Sequence, residues 1–227
     1  DGDIFYFADI WFPGIESIRY QAFFKKKRIK IAGILHAGSF TPTDFVNNLK
    51  DWARPFELSI IKQSDWIFLG SEQTRQDLIS NLPLDFTDIE KLHVTGIPLN
   101  FSDLEKYKCD EKENIIIFPH RLDKEKQPWI FDALMQYFPD YQFIKTHMLK
   151  LPKDEYYKLL AKSKICFSAS LQENFGIATL EACALGNSPI LPFNNTCYKY
   201  IYPREVLYKS FEESIELIDK FLKKPVN

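Results

Sequence analysis

The chain has 227 residues, enough for one large or two small domains with cores of their own. Aromatic residues make up 15% of it, 20 of them Phe, which excludes a disordered chain and points to a packed globular one. A net charge of −2 gives no general attraction to nucleic acid, and no apolar run reaches the length of a membrane-spanning helix.

Residues 4–7 read as a strand, 14–24 as a helix and 29–35 as a buried strand. Thr41-Pro-Thr-Asp44 supplies turn and cap chemistry for a helix over 44–62, with Pro55 a kink or break inside it. A strand at 66–69, a helix at 72–80 and a strand at 91–94 follow. Residues 97–112 are polar and irregular and read as a linker, so the expected domains are 1–105 and 106–227. The order then repeats: strand 114–118, helix 127–138, strand 141–145, helix 153–162, strand 164–168, helix 176–186 and strand 189–192. An aromatic loop, a short strand at 206–208 and a helix at 212–222 close the chain. Alternating strands and helices imply an α/β protein with two Rossmann-type, doubly wound parallel sheets.

The most informative stretch is Glu173-Asn-Phe-Gly-Ile-Ala-Thr-Leu-Glu181, with a carboxylate at each end. From Phe175 to Phe193, Glu181 is the only charged residue, and an ionised carboxylate in such a run is costly unless something polar meets it. Gly176 suits a tight entry into a helix and Gly186 its end. Glu181 then sits roughly 7–8 Å along the axis at ~1.5 Å per residue, with an anion-favouring helix start between the two acids. Carboxylate, anion site, carboxylate matches the order of a nucleotide sugar: hydroxyls, diphosphate, ribose hydroxyls. The same residues also fit an ordinary amphipathic helix, with Glu181 snorkelling outward and Glu173 a loop acid.

Two further segments bear on that choice. Phe118-Pro-His-Arg-Leu-Asp-Lys-Glu-Lys126 follows a buried strand, which puts Arg121 and Lys126 at a strand's C-terminal end, where open α/β sheets bind ligands. Arg as a fork and Lys as a point charge suit a diphosphate, although a solvated basic loop has the same look. Lys164-Ile-Cys-Phe-Ser-Ala-Ser170 is a second apolar run of strand length and leads directly to Glu173.

Arg121-Leu122 with Lys126 resembles the R-L-x-x-x-K element of retaining GT-B glycosyltransferases, the family that includes sucrose synthases and bacterial mannosyltransferases. Ser170-Leu-Gln-Glu173 with Phe175-Gly176 and Leu180-Glu181-Ala182 resembles their S-x-x-E-x-F-G-x-x-x-x-E-A signature. Asp65-Trp-Ile-Phe-Leu-Gly-Ser71, Gly96-Ile-Pro98 and His36 at the end of an apolar strand are similar to further family elements, so the resemblance runs over about residues 30 to 192. The chain departs from the pattern in three places. His120 and Gln127 stand where the family has glycine, and Gly186-Asn-Ser-Pro-Ile190 is one residue longer than its counterpart. The sequence begins at Asp1 without an initiator Met, and no glycine-rich first loop is recognisable, which gives the expectation of a shortened N-terminal domain.

The resemblance implies a GT-B-like enzyme, a retaining glycosyltransferase using a nucleotide diphosphate sugar and an unknown acceptor. It assigns catalytic roles to His36, Arg121, Lys126 and Glu173, and donor binding to Ser170, Phe175, Gly176, Ile177 and Glu181. Arg121 and Lys126 would neutralise the leaving diphosphate, Glu173 hold sugar hydroxyls, Glu181 the ribose, and His36 approach the sugar. His36 also fits a core histidine. No carboxylate is placed as a nucleophile, so a front-face mechanism is favoured over a covalent intermediate. Two alternatives stay open: a non-catalytic nucleotide-sugar binding module, and a phage-type enzyme glycosylating modified DNA bases.

Other features give bounded expectations. His93, His120 and His147 have no metal-ligand spacing, so no metal and no cofactor is expected. Cys109, Cys166, Cys183 and Cys197 show no paired spacing and read as thiols of a reducing, cytoplasmic setting. The basic run Lys25, Lys26, Lys27, Arg28 reads as a solvated turn or as a contact for an anionic surface. Phe5, Tyr6, Phe7, Trp11 and Phe12 read as core and cleft wall.

Overall fold

The computed structural model describes residues 1–194 and 196–223. The chain divides into two compact units, the first ending at Ile97 and the second starting at Pro98. The boundary expected at 105/106 moves because the polar stretch before it is anchored to the second unit. Leu104, in a 3-10 turn over Ser102–Tyr107, is buried in one cluster with Ile117, Leu160 and Leu185. Lys112, further along the same stretch, donates to the Ala161 and Leu185 carbonyls at 2.5 and 2.6 Å. Residues 224–227 of the expected second domain lie outside the described ones.

The first unit is a parallel sheet of β1 (Asp3–Phe7), β2 (Ile29–Leu35), β3 (Trp66–Leu69) and β4 (Leu92–Val94), in that spatial order. Helices α1 (Ile15–Phe24), α2 (Lys50–Gln63), α3 (Glu72–Asn81) and the short α4 (Phe86–Ile89) connect the strands. The core packs Ile31, Leu35, Ile60, Ile61, Ile67 and Leu69 together. Of the early aromatics, Phe7 and Trp11 pack against this core, whereas Phe5, Tyr6 and Phe12 are exposed. Pro55 does not break its helix. A 3-10 turn over Phe45–Leu49 precedes α2, which then runs through Pro55 because Ala53, Glu57, Ile60 and Ile61 keep one buried face.

The second unit is a parallel sheet with spatial order β6-β5-β7-β8-β9: β5 (Ile115–Phe118), β6 (Gln142–Lys145), β7 (Ile165–Phe167), β8 (Ser188–Pro192) and β9 (Leu207–Tyr208). All four residues of β5 are buried, as a continuous apolar run in a sheet covered on both faces demands. Its helices are α5 (Pro128–Leu134), α6 (Thr146–Leu149), α7 (Lys153–Lys162), α8 (Ile177–Ala184), α9 (Tyr198–Ile201) and α10 (Phe211–Leu222). The direction of winding reverses between β5 and β7, and ligands of open α/β sheets bind outside the strand ends at such a switch point. Those are the two strands that carry the candidate loops.

Candidate donor site and its similarities

The loops that follow β5 and β7 are tied together. Leu171 N donates to the Glu125 carbonyl at 2.7 Å, closing the β7 loop onto the β5 loop. Lys126, in a 3-10 turn over Lys124–Lys126, extends its Nζ to Glu173 Oε2 at 2.8 Å and to the Gln172 carbonyl at 3.1 Å. The lysine and glutamate side chains are 11% and 19% exposed, so the pair sits where water screens it little. Arg121 is different: it is largely exposed and lies against Asp123 at 3.2 Å and Glu125 at 3.5 Å. The structure therefore brings Lys126 and Glu173 together and leaves Arg121 on the rim.

The backbone at Glu173 is fixed by a second segment. Glu173 bridges to Thr196, and Cys197 N donates to the Glu173 carbonyl at 2.9 Å. Three residues on, Gly176 adopts φ 76°, in the left-handed region, to turn the chain into α8. It is also held by contact, because a Cβ there would stand 2.6 Å from a ring carbon of Tyr198. Tyr198 is fully buried, and its hydroxyl shares a hydrogen bond with Thr179 Oγ1 at 3.1 Å and reaches Ser168 Oγ at 3.5 Å. Ser168 Oγ in turn donates to Ser170 Oγ at 3.1 Å. Burial, reinforced by the nearby Glu173 charge, pushes the Tyr198 hydroxyl far above the ordinary tyrosine range, so it stays protonated. Thus Ser170 is a buried brace of the turn, Phe175 is half-buried and Ile177 is exposed at the helix start.

Glu181, on α8, is half-buried. The polar partner that its apolar surroundings required is Tyr157 of α7, whose hydroxyl donates to Glu181 Oε1 at 2.7 Å. Burial and this acceptor raise the Tyr157 hydroxyl above the usual range. Glu181 lines a cavity of about 260 Å³ with Asn100, Asp103, Tyr107, Lys153 and Asp154 among others. Such a wall, rich in carboxylates and hydroxyls, suits a polyhydroxylated ligand.

In the first unit, His36 directly follows β2. Its Nε2–H donates to the Ala8 carbonyl at 3.0 Å, since a carbonyl only accepts, and the bond joins the loops after β1 and β2. The small residues after it serve a buried acid. Glu57 accepts Ser39 N at 2.6 Å, Ser39 Oγ at 2.5 Å and Trp11 Nε1 at 3.1 Å. A Cβ on Gly38 would be 2.4 Å from Glu57 Oε1, so glycine is needed there for contact. Lys25, Lys26, Lys27 and Arg28 are all exposed between α1 and β2, with Arg28 lying 3.5 Å from Asp1.

Tyr157, Tyr198, Ser168, Thr179 and Glu57 were missed by sequence reasoning. Tyr198 falls in the stretch read only as an aromatic loop, and nothing local marks its contact with Gly176. An isolated acid among apolar neighbours, as at Phe56-Glu57-Leu58, is the signal that pointed to Glu181 and applies equally to Glu57. Among the described residues, no group of three His, Cys, Asp or Glu side chains is placed to hold a metal ion, and no helix is long and apolar enough to cross a membrane.

No family model matches the chain. A curated relative, a tRNA-queuosine alpha-mannosyltransferase of Drosophila melanogaster, is 31% identical over 143 residues, covering 51% of this chain and 38% of that protein. Among solved structures, a UDP-forming trehalose-phosphate synthase of Burkholderia xenovorans matches with a TM-score of 0.69 at 13% identity, over 98% of this chain and 66% of that one. A sucrose-phosphate synthase of Thermosynechococcus elongatus matches with the same TM-score and identity, over 98% of this chain and 65% of that one. The chain thus spans well under half of the curated relative and about two thirds of these solved structures. Its two parallel-sheet α/β units, covered almost completely by these structures, have the fold of the GT-B glycosyltransferases.

Proposed function

We propose that the chain carries the donor site of a retaining glycosyltransferase that uses a nucleotide diphosphate sugar. The observation that carries this reading is the Lys126–Glu173 pair, 2.8 Å apart between the two strands that flank the switch point of the second sheet. Without ligand the two charges neutralise each other. A diphosphate would compete for Lys126 and leave the Glu173 carboxylate for the sugar hydroxyls. As the glycosidic bond breaks, negative charge grows on the diphosphate, and a cation already fixed in a poorly screened place stabilises that charge most. Arg121 would join from the rim, the α8 N-terminus would assist, and Glu181 would hold ribose hydroxyls beside Tyr157. Retention by a front-face route accords with a Glu173 engaged by lysine rather than poised as a nucleophile.

The acceptor is part of the proposal. The curated relative's name makes a mannose donor and a tRNA-borne nucleoside the first pair to assay. The exposed run at Lys25, Lys26, Lys27 and Arg28 is the surface that an anionic acceptor would meet. His36 is the first unit's contribution to the reading. A cytoplasmic setting belongs to it as well, supported by four free cysteines.

Lys126→Ala tests the reading directly. Turnover with a nucleotide sugar should fall more than donor affinity does. Equal losses would reduce Lys126 to an anchor, and hydrolysis absent with every donor would remove the catalytic reading.

A further inference from the structure

Glu57 lies on the buried face of α2 at 1% exposure, in the unit that holds no part of the proposed donor site. Among the described residues it is met by neutral donors and by no cation. Burying a carboxylate is costly, and an apolar side chain would fill the space at lower cost. What the carboxylate adds is direction. Its Oε1 accepts Ser39 N at 2.6 Å and Trp11 Nε1 at 3.1 Å, and its Oε2 accepts Ser39 Oγ at 2.5 Å.

Those donors belong to the loops that leave the C-terminal ends of β1 and β2, 46 and 18 positions from the acid. Ligands of open α/β sheets bind at that end of the strands. Both loops are held firmly beyond the acid itself. Ser39 is fully buried, its carbonyl accepts Asn47 Nδ2 at 2.7 Å, and Thr41 N closes the turn on the Gly38 carbonyl at 3.0 Å. Trp11 stands edge-on to Phe56 of α2, with centroids 5.0 Å apart, and Ile10 N donates to the Ile34 carbonyl at 2.8 Å. Trp11 is a short step from Ala8, and Ser39 from His36. The loops meet again there, where His36 Nε2–H donates to the Ala8 carbonyl at 3.0 Å. That bond leaves the lone pair of the neutral ring on Nδ1.

We infer that Glu57 is a positioning residue for His36. By holding Trp11 and Ser39 it sets the Ala8 carbonyl against the ring and fixes which ring nitrogen carries the proton. Glu57 is enclosed, so it acts through the histidine and touches no ligand. Its effect on turnover rests on the transfer reading above; its effect on the ring does not.

The test uses the full chain with isotope-labelled histidine, read by nitrogen NMR at a pH where the ring is neutral. The chain has 4 histidines, and a His36→Ala spectrum assigns the signal of interest. Wild type should show His36 as the Nε2–H tautomer. Glu57→Gln should keep this signal, because its carbonyl accepts Ser39 N and Trp11 Nε1 and its amide donates to Ser39 Oγ, which can also accept. Glu57→Leu removes all three bonds and should give a mixed or shifted signal. Trp11→Phe, a milder change that keeps an aromatic ring against Phe56, should do the same and decides the matter if the leucine variant does not fold. Turnover per folded molecule with a nucleotide sugar should fall roughly 10–100-fold in Glu57→Leu and Trp11→Phe, as a small misplacement near reacting atoms does, with donor affinity unchanged and Glu57→Gln within about threefold of wild type. A folded Glu57→Leu or Trp11→Phe protein with the wild-type His36 signal would overturn the inference. So would a wild-type ring protonated on Nδ1, or a Glu57→Gln protein that loses the signal as the leucine variant does. If the ring changes in these variants while wild type turns over no donor, the positioning stands and the transfer reading fails. If wild type transfers sugar and the ring is unmoved, the transfer reading survives alone.

Discussion

Lys126 and Glu173 lie 47 positions apart in the chain and 2.8 Å apart in space, on loops that leave adjacent strands. Both are mostly buried, so each depends on the other for charge compensation. Removing the lysine alone, as in Lys126→Met, should destabilise the ligand-free protein by about 1–3 kcal/mol in urea unfolding, because an unpaired carboxylate is left behind. The double variant Lys126→Met/Glu173→Gln should recover most of that loss. Additive losses in the double-mutant cycle would show that the two charges do not interact.

Glu181 has a protein partner already, so its structural and ligand-binding roles can be separated. In Glu181→Gln the side-chain carbonyl still accepts from Tyr157, and unfolding stability should change little. Nucleotide affinity should drop by about 1.5–3 kcal/mol if the carboxylate accepts ribose hydroxyls. Unchanged affinity, or a more stable ligand-free protein alone, would leave Glu181 as an ordinary partner of Tyr157.

Gly176 carries two constraints, a left-handed backbone and the Tyr198 ring. Gly176→Ala should cost about 1–3 kcal/mol of stability. Adding Tyr198→Leu should relieve the contact part of that cost and leave the backbone part, so the two effects should be less than additive. Full additivity would mean that the ring and the glycine are independent.

His120 gives a pH dependence with a definite sign. Its folded pKa is about 3, below the unfolded value of about 6.5, because burial and Lys126 oppose the charged ring. Between these values the unfolded chain binds more protons, so this group's contribution to stability is lost as pH falls from about 6.5 toward 3. The slope from one group is at most about 1.4 kcal/mol per pH unit. His120→Leu should flatten the acid side of the stability curve relative to wild type. Parallel curves for the two proteins between pH 6 and 4 would show that His120 does not titrate this way.

His36 separates site from scaffold in the first unit. If it takes part in transfer, His36→Ala should cut transfer strongly while donor binding survives. A histidine that only ties the loops after β1 and β2 through the Ala8 carbonyl would instead lower the melting temperature and leave activity per folded molecule intact. Both quantities are read from the one variant.

The strands and most helices were legible because their signals are local. The run Ile115–Phe118 is apolar and wholly buried, and α7 covers residues 153–162 as its periodicity required. The 3-10 turn over Ser102–Tyr107 was not, since Leu104 is its one buried residue and Ser102, Asp103, Glu105 and Lys106 around it are polar. The short α4 and α6, four residues each, are below the length at which a periodic pattern can be seen. Glu173 and Lys126 were legible as site candidates through their spacing and their places after strands. That they pair with each other, that Arg121 stays on the rim, and that Tyr157 and Tyr198 reach Glu181 and Gly176 are long-range facts. They depend on the sheet order, which no local pattern encodes.

The central claim is that the second unit binds a nucleotide diphosphate sugar through Lys126 and Glu181. The direct measurement is a thermal and calorimetric titration of nucleotide diphosphate sugars, mannose donors first, into wild type, Lys126→Ala and Glu181→Gln, with EDTA present throughout. The account predicts that at least one donor stabilises wild type, by about 2.7 kcal/mol at roughly 100 times its dissociation constant, that Glu181→Gln loses most of this, and that Lys126→Ala loses part of it while its turnover falls further. Wild type unaffected by any donor, binding that strictly requires a divalent cation, or equal stabilisation of all three proteins would contradict it.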